Sequence, residues 1–363
     1  MWLIILGLTM LCAIAGLIYL TAAVRRFALP KKLTGKNKVL GTALAAAFIL
    51  IPFLIINFTL GLMNAVVVLI HVMLFFALSA AVVHIYKRLC RREPKFFLQG
   101  WLALIVSVIY LGIAFFLCEH VWQTNYTLTT AKSISPLRVA MFADSHLGTT
   151  FDADGLEEYL KAIEAQSPDI LLIPGDFVDD SSEREDIIRA CEALGRMDLP
   201  YGVWFSFGNH DEGYYNSRDF SGDELRETLI SNGVHVLEDE CVLIDNSFYV
   251  VGRLDSGYER MEIADLLSGL DTDRYIIVMD HEPNDYDNES LSAADLVLSG
   301  HTHGGQLFPI TYVGVALGIN DYTYGYERIN DTDFIVTSGI SDWALNFKTG
   351  TYSEYVIIDI NGL

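Results

Sequence analysis

From Val39 to Tyr86 the chain contains no Asp, Glu, Lys or Arg. One bilayer crossing takes about 20 apolar residues, so this run is expected to be two spans that turn near Asn57–Asn64, where Gly61 sits. Met1–Val24 and Phe96–Cys118 are two further runs without a charge, giving four expected spans. None of the runs has the polar face of a helix buried in a soluble protein. The segment Arg25–Lys38 carries six Lys/Arg and Lys87–Lys95 carries five, while the turn at Asn57–Gly61 carries none. Positive charge marks the cytoplasmic side, which places both basic loops inside and everything after Cys118 outside. Trp122 and Tyr126 are expected at the outer interface. Met1–Val24 does not read as a cleaved signal, because its positive charges follow the apolar run instead of preceding it.

Charge divides the chain. Up to Cys118 there are eleven Lys/Arg and one acid, Glu93, for a net +10. The remaining 13 basic and 45 acidic residues give −32, within the total of −22. An acidic domain repels a polyanion, which argues against nucleic acid as a partner. Five cysteines show no CxxC or CxxH spacing and suggest neither a thiolate metal site nor a dense disulfide framework. The length allows about two domains. The reading is a helical membrane region over 1–120, a polar linker over 121–136, and an α/β domain over 137–363. A cysteine placed at Ser182 is expected to report the outer side of the membrane, and Cys90 the inner side.

The soluble part repeats one pattern, in which a short apolar strand runs into a polar motif and then a helix. Leu137–Ala143 leads to Asp144-Ser145-His146, Ile170–Ile173 to Pro174-Gly175-Asp176, and Val203–Phe207 to Gly208-Asn209-His210-Asp211. Ser221 and Glu224 form a capping box for a third helix. Further on, Tyr275–Met279 leads to Asp280-His281-Glu282-Pro283, and Leu296–Leu298 leads to Gly300-His301-Thr302-His303-Gly304-Gly305. In open α/β sheets ligands bind beyond the carboxyl ends of strands. Imidazole and carboxylate are common ligands for divalent metals. Each motif alone is a frequent surface turn, but five in this order, each at a strand end, converge on one site.

In these motifs the chain resembles the calcineurin-like metallophosphoesterases, whose signature D-x-H, G-D, G-N-H-[DE], H, G-H-x-H stands here from Asp144 to His303. The extension through Gln306 looks like the bacterial membrane-associated branch. The resemblance covers roughly Leu137 to Ile360 and not the spans. It implies an αββα sandwich and two divalent ions, Mn²⁺ favoured over Fe or Zn²⁺. Asp144, His146 and His303 would hold the first ion, and Asn209, His281 and His301 the second, with Asp176 bridging both. A hydroxide between the ions would attack phosphorus, and His210 would protonate the leaving oxygen as general acid. Asp211 would orient His210. One departure lies at Ser338–Lys348, which lacks the branch's Gly-Pro-Pro. Lys348 is the candidate counterpart of the Arg usual there.

The function expected is phosphoester hydrolysis by a multi-pass membrane protein with an extracytoplasmic catalytic domain. Its substrate would be a phosphodiester of a lipid or of the cell envelope. A phosphomonoesterase or pyrophosphatase would use the same site. A non-catalytic sensor that binds a phosphorylated ligand is the reading from a different class.

Overall fold

The computed structural model describes residues 2–213 and 218–362. The chain forms two compact units, Met1–Phe115 and Phe116–Leu363. The first is helical: α1 (Trp2–Val24), α2 (Ala28–Thr34), α3 (Lys38–Leu60), α4 (Leu62–Cys90) and α5 (Leu98–Glu119), whose last turn belongs to the second unit. Among the described residues α3, α4 and α5 are long and apolar enough to cross a membrane. Thr9–Val24 and Ala28–Thr34 are bent by 74° and make a fourth span only if the pair is counted as one. Asn37 caps α3 by accepting from the amide of Leu40 at 3.0 Å. Gly61, at φ 89°, makes the break between α3 and α4 at the expected turn.

In the second unit β1 (Trp122–Thr130), β2 (Leu137–Met141), α6 (Ala153–Glu164), β3 (Ile170–Pro174), α7 (Arg184–Gly195), β4 (Val203–Ser206), α8 (Gly222–Ser231) and β5 (His235–Val236) come first. There follow β6 (Glu240–Ile244), β7 (Phe248–Gly252), α9 (Ile263–Leu266), β8 (Tyr275–Met279), α10 (Tyr286–Glu289) and β9 (Leu296–Ser299). The chain ends with α11 (Val313–Ala316), β10 (Gly325–Ile329), β11 (Thr332–Val336) and β12 (Glu354–Gly362). Two six-stranded sheets result, in the orders β1-β12-β2-β3-β4-β5 and β10-β11-β9-β8-β7-β6.

The strands read as unbroken apolar runs because both faces are covered. Val139, Met141, Leu172 and Trp204 pack against Ile277, Met279, Leu298 and Ile335 of the opposite sheet. The alternate residues, Ala140, Leu171, Ile173 and Phe205, pack under α6, α7 and α8. Val251, Ile276, Val278 and Phe334 carry the second sheet's own helical layer. This is the αββα sandwich. Ser221 and Glu224 do form the capping box of α8.

Two readings of the sequence need correction. Trp122–Thr130, expected in a linker, is a nine-residue strand paired in parallel with β12 over its whole length. Its polar, threonine-rich face hid the period of two. Ser182, expected to be accessible, is buried: its hydroxyl accepts from the amide of Asp179 and donates to the carbonyl of Leu147. A topology probe belongs instead at Leu291, which is 81 % exposed.

Candidate metal centre

Parallel pairing sets strand ends side by side. Met141 is in register with Leu172, Pro174 with Ser206, and Met279 with Leu298. The segments after β2, β3 and β4 of one sheet therefore meet those after β8 and β9 of the other. These segments carry Asp144 and His146, then Asp176, then Asn209 and His210, then His281, then His301 and His303.

The structure brings the expected ligand residues into two adjoining groups. Donor atoms of Asp144, His146 and His303 lie within 4.8 Å of one another, and so do those of Asp176, His281 and His301. Asn209 Oδ1 is 3.1 Å from His281 Nε2 and 2.9 Å from His301 Nδ1. Asp176 Oδ2 stands between the groups, 3.6 Å from His146 Nε2 and 3.1 Å from His281 Nε2. The His281 Nδ1 atom is 2.8 Å from the carbonyl of Pro174. A carbonyl only accepts, so Nδ1 carries a hydrogen, and Nε2 is the ring nitrogen turned toward Asp176 and Asn209.

The backbone is bent to achieve this. Asp144, His146, Asp176, His301 and His303 all have positive φ, between 35° and 67°. Non-glycine residues adopt that region rarely and at a cost. Five such residues at one site mark strain held by the surrounding fold. Gly300 is required beside them, because a side chain there would come within 2.7 Å of Asp144 Oδ2.

Electrostatics asks for positive charge here. Burial pushes the Asp144 carboxyl up to about 7, against the pull of His281. Its Oδ2 is buried without a hydrogen-bond partner, an arrangement costly for a carboxylate unless a cation meets it. Burial would raise Asp176 too, but the His281 ring outweighs it and holds the carboxyl well below its usual range. Burial lowers His146 to about 4 and holds His303 well below its ordinary value. Their Nε2 atoms face each other at 3.2 Å. Neutral imidazole lone pairs, an unpartnered carboxylate oxygen and an amide oxygen form a donor set that fits two borderline-to-hard divalent ions.

His210 sits at the edge of this set and is partly exposed. Its amide donates to Asp176 Oδ1 at 2.9 Å, and its ring centroid is 4.9 Å from that of His146 and 5.4 Å from that of Trp343. Asp211, expected to orient His210, instead accepts from four backbone amides. Phe177 and Val178 donate to Oδ1 at 2.8 and 3.1 Å, and Asp176 and Gly208 to Oδ2 at 2.8 Å each. Its carboxylate fastens the β3 and β4 turns together.

One contributor, Asp342, escaped sequence reasoning, and Lys348 takes a structural role. Asp342 Oδ1 lies 3.3 Å from His303 Nδ1 and also accepts from the Gln306 side chain. It faces the His303 ring as a buried carboxylate at ion-pair distance, without a hydrogen bond to Nδ1. Lys348 does not reach toward a substrate. It is fully buried and donates to the carbonyls of Ser338 at 2.7 Å and Ser341 at 3.3 Å, with Asp342 Oδ2 at 3.9 Å. Lys348→Met removes those bonds and leaves Asp342 uncompensated, and should lower unfolding stability by roughly 3 kcal/mol. Denaturant unfolding in detergent measures the loss. An unchanged midpoint would show that the turn at 338–342 does not depend on the lysine.

Known proteins point the same way. The family model for the calcineurin-like phosphoesterases matches residues 137–305. An uncharacterized metallophosphoesterase of Aquifex aeolicus is 30 % identical over 247 residues, covering 66 % of this chain and 91 % of its own length. The Bacillus subtilis metallophosphoesterase YkuE is 26 % identical over 270 residues, 70 % of this chain and 91 % of its own. A zebrafish transmembrane protein with metallophosphoesterase domain is 29 % identical over 239 residues, 61 % of this chain and 53 % of its own. This chain thus spans nearly all of the first two relatives and about half of the third. The chain belongs to the calcineurin-like phosphoesterase family. It is a metallophosphoesterase with three or four apolar helices ahead of its α/β domain.

Proposed function

We propose that this chain hydrolyses a phosphodiester of a lipid or cell-envelope component at the extracytoplasmic face of the membrane. The observation that carries the chemistry is Asp176 Oδ2, placed between two groups of donor atoms. Asp144, His146 and His303 would hold one divalent ion, Asn209, His281 and His301 the other, and Asp176 would be shared by both, with Mn²⁺ favoured. Two ions bound there would draw charge from the phosphoryl group and make an attacking water more acidic. The residues of the chain do the rest. His210, anchored through its amide and partly open to solvent, delivers a proton to the leaving oxygen. Asp211 holds the turns that carry Asp176 and Asn209 at a fixed separation. Lys348 holds the 338–342 turn, which places Asp342 beside the His303 ring.

The order of α3, α4 and α5 supports this side of the membrane. They run from the basic segment Arg25–Lys38 to the uncharged break at Gly61, back to Lys87–Lys95, and out again to Glu119. With basic loops inside, the catalytic unit lies outside whether or not α1 and α2 span. In intact cells a membrane-impermeant thiol probe should modify Leu291→Cys and miss Cys90 until the cells are opened. Labelling of Cys90 alone would reverse the orientation.

The substrate reading is tested with the full chain in lipid nanodiscs with Mn²⁺. A phospholipid in the disc and bis-p-nitrophenyl phosphate should both be cleaved faster than p-nitrophenyl phosphate. Cleavage of the monoester alone would replace the diesterase reading with a phosphomonoesterase. Failure on the phospholipid alone would remove the lipid.

A further inference from the structure

The stretch that leaves the candidate metal centre has an unusual surface. Between Asp295 and Asp321 there is no Asp, Glu, Lys or Arg, the longest such run in a domain that is otherwise strongly acidic. Its second half is also exposed. Phe308 is 59 % exposed, Tyr312 66 % and Leu317 68 %, with Val313, Val315 and Ile319 also open. These side chains lie on a short 3-10 turn, the single-turn α11 and the bend at Gly318. An exposed apolar patch of this kind marks a binding surface.

Its neighbours say what covers it. The amides of Thr349 and Gly350 donate to the carbonyl of Gln306 at 2.7 and 3.2 Å, and the amide of Phe308 donates to Thr349 Oγ1 at 2.9 Å. A few residues on, the same segment holds the last turn of α5. The Ser353 amide donates to the carbonyl of Leu117 at 3.0 Å, its hydroxyl donates to that of Cys118 at 2.7 Å, and the Asn346 amide group donates to Glu119 Oε1 at 3.1 Å. One short segment therefore binds both the start of the apolar stretch and the end of a membrane-length helix. Rings gather at that helix end. His120 and Trp122 are 4.6 Å apart, Trp122 and Tyr352 6.0 Å, and Trp122 is 40 % exposed. Such aromatic clusters favour the headgroup level of a bilayer.

We propose that residues 306–319 dock into the outer leaflet of the bilayer that α5 crosses, and that the metal centre opens at headgroup level as a result. The partner is a lipid surface. An uncharged apolar segment lets an acidic domain approach anionic headgroups that the rest of its surface repels. Gln306 ties this element to the centre itself, since its side chain donates to Asp342 and, at 2.8 Å, to the carbonyl of Trp343. The consequence for turnover rests on the lipid-substrate reading above, whereas the docking does not.

The test uses the full chain in nanodiscs of phosphatidylethanolamine and phosphatidylglycerol, with Cys12, Cys90 and Cys241 replaced by Ser. A fluorescent NBD label is attached at Leu317→Cys, and in a second sample at Leu291→Cys. Docking predicts that the label at Leu317→Cys is quenched by lipid carrying a doxyl group near its headgroup and is shielded several-fold from aqueous iodide. The label at Leu291→Cys should behave oppositely. Equal iodide access at both positions overturns the proposal. In unlabelled protein, Val313→Asp with Leu317→Asp should slow cleavage of a phospholipid in the disc by roughly tenfold or more, the loss expected when a surface-held encounter is given up. Bis-p-nitrophenyl phosphate should be cleaved at the original rate. An equal loss on both substrates overturns the proposed role of the segment in access. If the label is buried in lipid and no phospholipid is cleaved, docking stands and the lipid substrate falls. If phospholipid is cleaved while the label is open to iodide, the substrate stands and docking falls.

Discussion

Asp176→Asn strips both ions from the folded chain together. The carboxylate has one oxygen between the two donor groups, and its other oxygen accepts from the amide of His210. An amide in its place keeps the shape but loses the negative charge that two adjacent cations need between them. The loss of hydrolysis should exceed the roughly 10–100-fold typical of residues that only support a ligand. Elemental analysis of the purified variant counts the ions, and circular dichroism confirms that it is folded. The His303→Ala variant is the control, and it should lose mainly the ion of the Asp144 group. Two ions retained in Asp176→Asn would contradict the shared position.

The His210→Ala variant should keep both ions and lose roughly 10²–10⁴-fold in kcat for substrates with poor leaving groups, the usual contribution of a general acid. Bis-p-nitrophenyl phosphate should suffer far less, because nitrophenolate leaves without a proton. His210 is suited to this role by position. Its backbone is fixed by Asp176 and its ring neighbours both His146 and Trp343. The comparison across leaving groups is read as a slope of log kcat against leaving-group pKa, steeper in the variant than in the parent. An equal loss across the series would assign the imidazole to holding phosphate.

The strand-end residues of the site were legible in the sequence because the same device recurs, an apolar strand that stops at a polar turn. The sandwich was implied by the family resemblance, and the strands agree with it in being apolar on both faces, as Val139 and Ala140 show by packing into opposite layers. What the sequence hid depends on distant partners. Thr124 of β1 hydrogen-bonds to the buried Glu354 of β12, a pairing that no local pattern announces. Asp342 sits in an ordinary Ser-Asp-Trp turn and gains meaning only where it meets His303. Lys348 stands where the family's Arg is usual, yet the carbonyls of the 338–342 turn draw it inside. Asp211 looked like a partner for the histidine beside it. Four amides across two turns are its actual contacts, because a buried carboxylate takes the donors that the fold supplies.

Two-ion phosphoester hydrolysis rests on this one constellation of Asp, Asn and His. The most direct measurement takes the purified full chain in nanodiscs and follows, in one titration, Mn²⁺ bound per chain and single-turnover cleavage of bis-p-nitrophenyl phosphate. The predicted result is that cleavage appears only as the second ion binds, and that a chelator abolishes it while leaving the chain folded. Cleavage that is complete with a single ion bound, or that survives the chelator, would contradict the account.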